Sequence, residues 1–413
     1  MRKIILILAF MLFSCQNNGD YRAQELATLT SMVNEVSEAL NNLGFDIHPE
    51  QIGIEIKEER ELIALFDAIN DQAGPEIEDS KISHGVKDRL AFYDPNTKNI
   101  IFKAGAYKRM SKGYLAHELS HAYQDQKWGF DKIWEKYKKK PSREIYNIIN
   151  YLVEGHAELA RQAYEQAQAT DKRTSLQLAI SLGKIAENDC VICSPKENAA
   201  NLPYSLGLRF LVKEYLKGGW PQVESHFEKL PQSSEQILHP DDDLKIKQVQ
   251  IDLPKWSDKY IPADLVHEGP MGEAYLLAKL LSLNIAKPEA FLTSSGWHTD
   301  TAQLYRSKDK QEALIWRIAF DRELDAQQLE DVLIRAHVGD QIKRKNRNID
   351  WIITSNASMK NSLRNFMDKY QNYLKPNSAQ ETSTHNSELR VKNDAAGFFG
   401  PYRATRIHIG PHP

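Results

Sequence analysis

The chain has 413 residues, 41% of them hydrophobic and 26% charged, with a formal net charge of −3. That composition is ordinary for a globular protein long enough for two or three domains or lobes. The charge balance gives no electrostatic basis for a nucleic-acid partner, and no long apolar run follows the N-terminal segment.

Residues 1–14 have the pattern of a signal peptide, with Arg2 and Lys3 ahead of the apolar run Ile4 to Phe13. That run is too short to remain as a membrane span. It ends in Leu12-Phe13-Ser14-Cys15, which resembles a bacterial lipobox. Cys15 is therefore expected to carry a lipid that anchors an exported protein in the bacterial cell envelope, on its periplasmic or surface face. Gln16 to Asp20 reads as a tether. Leu29, Met32, Val33, Val36, Leu40 and Leu43 recur at helical spacing, and Gly44 stops that helix, so residues 15–44 form tether plus helix.

Residues 45–170 read as one unit, the core of the chain. Gly53 to Lys57 alternates like a strand, and Glu59 to Asn70 returns to helix. Arg89 to Tyr93 and Lys98 to Phe102 flank Asp94-Pro95-Asn96-Thr97, which is strong turn chemistry, and predict a hairpin. A long helix is expected from Ser142 to about Gln168, and further helices over 175–187 and 203–217, the latter ended by Gly218-Gly219. Cys190 and Cys193 form a lone C-x-x-C, read as a loop disulfide in an oxidising compartment. Beyond an irregular stretch from Leu230 to Pro254, a helix is predicted over 272–283, a hairpin near 303–305 and 313–320, and a helix over 325–336. Residues 171–376 are thus read as a mostly helical C-terminal lobe. Residues 377–413 lack periodicity and read as a disordered tail.

The chemistry lies in His117-Glu118-Leu119-Ser120-His121. In H-E-x-x-H on a helix, the two imidazoles share one face and can reach one metal ion, with the intervening glutamate beside it. A catalytic zinc needs a third protein ligand. The continuation H-E-x-x-H-x-x-G-x-x-H is excluded, because Gln124 and Lys127 occupy those places. The long helix offers Glu154, His156 and Glu158 in Asn150-Tyr-Leu-Val-Glu-Gly-His-Ala-Glu158. Periodicity leaves the choice open. His156 falls on an apolar stripe and reads more readily as a core histidine, Glu154 borders a second apolar face, and Glu158 reads as solvated.

At this point the chain resembles the gluzincins, in which H-E-x-x-H is followed by a helix carrying a glutamate ligand, here in Val153-Glu-Gly-His-Ala157. It is similar in particular to a set of exported bacterial zincin-like proteins through Leu202-Pro-Tyr-Ser-Leu-Gly207, Gly218-Gly-Trp220, Ser233-Ser-Glu-Gln-Ile-Leu-His-Pro240, Gly296-Trp-His-Thr-Asp300 and Leu314-Ile-Trp-Arg317, over residues 85–335. His298 stands where those relatives tend to have glycine. The resemblance implies an α+β, mainly helical zincin-like fold. A small N-terminal sheet would have its edge along the cleft, open to pairing with an extended substrate. It implies Zn2+ held by His117, His121 and Glu154, with Glu118 as general base and a peptide or protein as substrate. A His or Tyr often stabilises the oxyanion in this group; His239 is the first candidate, Tyr204 the second and Tyr123 the third. The rival expectation is a catalytically silent zincin-fold lipoprotein used for binding or assembly.

Overall fold

The computed structural model describes residues 2–72, 89–137, 142–169, 199–240, 251–258 and 261–373. The expected helix over 175–187, the Cys190–Cys193 pair, the acidic run 241–243 and the tail 377–413 lie outside the described residues. The fold is α+β and mostly helical.

The N-terminal helix α1 (Arg2–Asn41) is continuous, so the polar run 16–20, expected as a tether, is helical. Leu29, Val33, Val36 and Leu40 are buried along one stripe. The helix ends where Asn41 exchanges two side-chain hydrogen bonds with the backbone of Ile47, and Gly44 adopts a left-handed φ of 103°. No helix among the described residues is long and apolar enough to cross a membrane.

A three-stranded sheet follows. Strand β1 (Gly53–Lys57) leads into helix α2 (Glu59–Gln72), and β2 (Ala91–Asp94) and β3 (Asn99–Lys103) form the predicted hairpin. The strand order is β1-β3-β2, with β1 parallel to β3. Asp94 closes the hairpin turn by accepting hydrogen bonds from Asn96 N at 3.0 Å and Thr97 Oγ1 at 2.9 Å. This is the Asx chemistry that the Asp-Pro-Asn-Thr sequence offers.

Helix α3 (Lys112–Trp128) starts at Ser111, whose hydroxyl caps Tyr114 N at 3.1 Å. Every residue from Leu115 to Asp125 is buried, so the H-E-x-x-H segment is covered all round. After the short α4 (Phe130–Tyr137), α5 (Arg143–Ala169) runs through the core and is buried on all sides from Tyr146 to Ala160. Helix α6 (Leu202–Glu228) crosses α5 where Gly155 and Gly207 meet backbone to backbone; a Cβ on Gly207 would lie 2.2 Å from Tyr151 O. At the predicted stop Gly218-Gly219 the backbone leaves helical geometry, with φ of −161° and 66°, and α6 continues beyond this kink as a second helical segment. Glu214 and His226, 2.8 Å apart, clasp the kink.

Beyond α6 the chain combines helices with a second sheet, which includes the hairpin predicted over 303–305 and 313–320. After the single turn α7 (Glu235–Leu238), five antiparallel strands form a second and larger sheet: β4 (Ala263–Gly269), β5 (Trp297–Ser307), β6 (Glu312–Phe320), β7 (Ile342–Lys345) and β8 (Asn348–Ile353), in the order β4-β5-β6-β8-β7. Helices α8 (Glu273–Ser282), α9 (Lys287–Ser294) and α10 (Glu323–Arg335) share a core with one face, and α11 (Ala357–Tyr373) covers the other. Strand β6 shows why two covers are needed. Leu314, Trp316, Ile318 and Phe320 join the main core, while Ala313 and Ile315 pack with Met359, Leu363 and Met367 of α11. One hydrophobic cluster runs from Leu29 in α1 through α3, α5 and α6 to Trp351 in β8.

Candidate metal centre

Helix periodicity places His117 and His121 one turn apart, and their Nε2 atoms lie 3.1 Å from each other. Across the α3–α5 interface, Glu154 Oε2 is 3.4 Å from His117 Nε2 and 3.6 Å from His121 Nε2. A tetrahedral ion with bonds of about 2.0–2.1 Å has ligand–ligand edges of about 3.3–3.4 Å. The three observed separations match one face of such a tetrahedron. Among the described residues, His117, His121 and Glu154 form the one group able to hold a metal ion. The donor set, two imidazoles and one carboxylate, suits zinc.

The electrostatics fit a cation there. Glu154 is fully buried, and neither carboxylate oxygen accepts a hydrogen bond among the described residues. A buried, unsatisfied carboxylate is costly unless a cation sits against it. With protons alone, burial works against charge at both partners but loses. Glu154 and Glu158, with Glu118, raise His117 to about 10. His117 and His121 in turn lower Glu154.

Glu118 lies beside the triad and is fully buried. Its Oε2 accepts from the backbone N–H of Tyr93 on edge strand β2 at 3.0 Å, and Oε1 has no hydrogen-bond partner among the described residues. At this position, then, the sheet edge is paired with the glutamate instead of standing open to a substrate. Burial pushes the Glu118 carboxyl above the usual range, and the two histidines and the Tyr93 N–H only partly offset it.

Surrounding groups orient the candidate ligands. Glu158, expected to be solvated, is buried; it is held by Arg161, with one contact at 2.9 Å, and its Oε2 stands 3.7 Å from His117 Nδ1. Burial raises the Glu158 carboxyl, but Arg161 and His117 outweigh it and hold the group well below the carboxylate range. A carboxylate behind a metal-facing imidazole is a recurrent orienting device. His121 Nδ1 meets Gln124 Oε1 at 3.0 Å. His156 does not join the triad. It sits among Phe45, Tyr123, Trp128, Trp220 and Phe227, and burial lowers it to about 3, so it is neutral.

Of the three oxyanion candidates, Tyr204 stacks on His117, with ring centroids 5.8 Å apart. Burial, followed by the charge of Glu154, holds its phenol well above 10, so it is a proton donor. His239 Nε2 is paired with the buried Glu273 at 2.8 Å. Tyr123 engages Glu224 and Lys127 through its hydroxyl. Cys15 lies within α1.

Sequence reasoning overlooked Gln124, Arg161, the Tyr93 N–H and the Gly155–Gly207 crossing. Gln124 had a usable signal, since it stands three residues after His121 and hence on the same helix face. The Gly296–Asp300 stretch proves to be a brace. Asp300 accepts from Met271 N, Gly272 N and Trp316 Nε1, the last at 2.6 Å.

A family model described as a domain of unknown function (DUF8575) matches residues 263–364. That span holds the five-stranded sheet, α8 to α10 and the first half of α11. No curated protein and no solved structure matches the chain.

Proposed function

We propose that the protein is a zinc-dependent peptidase of the bacterial cell envelope, of gluzincin type, anchored through a lipid on Cys15. The observation that carries this reading is the triangle of His117 Nε2, His121 Nε2 and Glu154 Oε2 at 3.1–3.6 Å, with a second buried carboxylate, Glu118, next to it. Bound zinc would supply Lewis acidity toward a substrate carbonyl and toward water. Glu118, steadied by the Tyr93 N–H, takes the proton from the attacking water and passes it to the leaving amine. Its raised proton affinity suits both halves of that transfer. Tyr204, whose ring stacks on His117, is our assignment for the hydrogen-bond donor to the developing oxyanion. His239 is the alternative donor, and Tyr204→Phe and His239→Ala, assayed side by side, separate the two.

The test is a broad peptide-library digest by wild type and Glu118→Gln, with zinc content measured in both. Glu118→Gln leaves the three ligands in place and removes the base. It should keep zinc and lose turnover by about 10²–10⁴-fold or more. Zinc-loaded wild type that cleaves nothing and matches the variant would shift the reading to a binding or assembly module on a zincin scaffold.

A further inference from the structure

The side-chain amide of Gln124 makes three hydrogen bonds inside the core. Oε1 meets His121 Nδ1 at 3.0 Å, and Nε2 meets Val153 O at 2.9 Å and His156 Nδ1 at 3.1 Å. A carbonyl oxygen only accepts, so Val153 O dictates that the NH2 of the amide lies on its side. The other orientation would set two oxygens 2.9 Å apart. With the amide fixed, its oxygen faces His121, and an oxygen that only accepts requires Nδ1 of that ring to donate. The neutral His121 ring then has its lone pair on Nε2, the atom 3.1 Å from His117 Nε2 and 3.6 Å from Glu154 Oε2. The same logic fixes His156. Its Nδ1 accepts from Gln124 Nε2 and from the Ser120 hydroxyl, also at 3.1 Å.

We infer that Gln124 is a positioning residue for the metal, holding His121 as the Nδ1–H tautomer with Nε2 turned to the ion, and that Val153 O and His156 set the direction of its amide. Val153 immediately precedes the ligand Glu154 on α5, while Gln124 lies three residues after the ligand His121 on α3. One amide thus ties together the two helices that must present ligands at a common point. His156, not itself a ligand, acts as the acceptor that keeps this tie in register. The inference rests on the proposed metal site.

Zinc affinity is measured by chelator competition for wild type, Gln124→Met and Ile149→Ala. Gln124→Met keeps the length of the side chain and removes the acceptor. Ile149→Ala loosens the same core on α5 and shows how far affinity falls from packing alone. Loss of an orienting partner costs about 10–100-fold in metal affinity, and Gln124→Met should fall by that factor beyond Ile149→Ala. An equal fall in the two variants overturns the assignment. A second readout uses the wild-type chain, labelled with 15N at histidine and loaded with 113Cd. The expected spectrum couples cadmium to Nε2 of His121, with a proton on Nδ1. Coupling through Nδ1 overturns the proposal whether or not Gln124→Met folds. Wild type that takes up neither zinc nor cadmium defeats the metal-site reading instead, so the two failures are distinct.

Discussion

Replacing Gly207 by alanine tests whether the α5–α6 crossing sets the metal site. In a helix interior, glycine to alanine normally stabilises by about 1 kcal/mol. Here the added Cβ would lie 2.2 Å from Tyr151 O and 3.0 Å from Gly155 Cα, where ordinary contact begins at 3.4 Å. Both obstacles are backbone, so no rotamer relieves them. The helices must part by about 1 Å, and overpacking of this kind costs about 1–3 kcal/mol or more. The clash outweighs the propensity gain and reverses its sign. Gly155 is joined directly to Glu154, so the displacement carries the carboxylate away from His117 and His121. We expect Gly207→Ala to lower the melting temperature by several degrees, at about 2–4 °C per kcal/mol for a larger chain, and to weaken zinc binding about tenfold or more. Calorimetry and chelator competition measure the two effects. Gly105→Ala is the control, since its Cβ meets nothing within 4 Å and only its left-handed φ of 76° is strained. A Gly207→Ala protein that melts higher than wild type and holds zinc equally well would refute the argument.

Three further outcomes are expected. Purified protein should hold one zinc per chain by elemental analysis; His117→Ala, His121→Ala and Glu154→Ala should each lose it, while His156→Ala should chiefly lower stability and weaken binding less. Cys15→Ala should release the protein from the membrane fraction or leave the signal peptide uncleaved, as read by fractionation and N-terminal mass. Burial raises Glu144 to about 8 and Asp300 to about 7. For a carboxylate with a raised folded-state value, the stabilisation is fully present below the unfolded value near 4.5 and is lost as pH climbs through the folded one. The melting temperature should therefore fall from pH 5 to pH 9 by an amount worth a few kcal/mol, and Glu144→Gln should flatten that slope.

Local patterns carried the N-terminal half of the fold. The Asp94–Thr97 turn, the strand at 53–57 and the long helix to Ala169 follow from turn chemistry and periodicity. The histidine pair is legible because both candidate ligands sit on one helix. The third ligand was not settled by periodicity. Helix α5 is buried on all sides, so no polar face marks the side that meets α3. Glu158 misled for the same reason: its burial depends on Arg161 and on the neighbouring helix. In the C-terminal lobe, β7 and β8 are short and join through Asn346 at a φ of 53°, and β4 mixes polar and apolar residues, so neither gave a strand signal. Among its described side chains, helix α11 fully buries only Met359, Leu363 and Met367, at four-residue intervals within a polar sequence.

The continuous core sets how the chain can be divided. Helix α5 lies against α3 on one side and α6 on the other, and at its start Glu144 N donates to Pro270 O while Glu144 Oε1 accepts from Ser234 N. A fragment ending near residue 170 would retain all three candidate ligands yet strip one flank from the helix that bears Glu154. Residues 263–364, excised alone, would lose the α5 and α6 side chains of the shared cluster and, from the other sheet face, Leu253, Trp256 and Met367. The two halves are therefore expected to unfold together, and if the proposed ion is held, a lesion in the distant sheet should be felt at the histidines as lost metal occupancy.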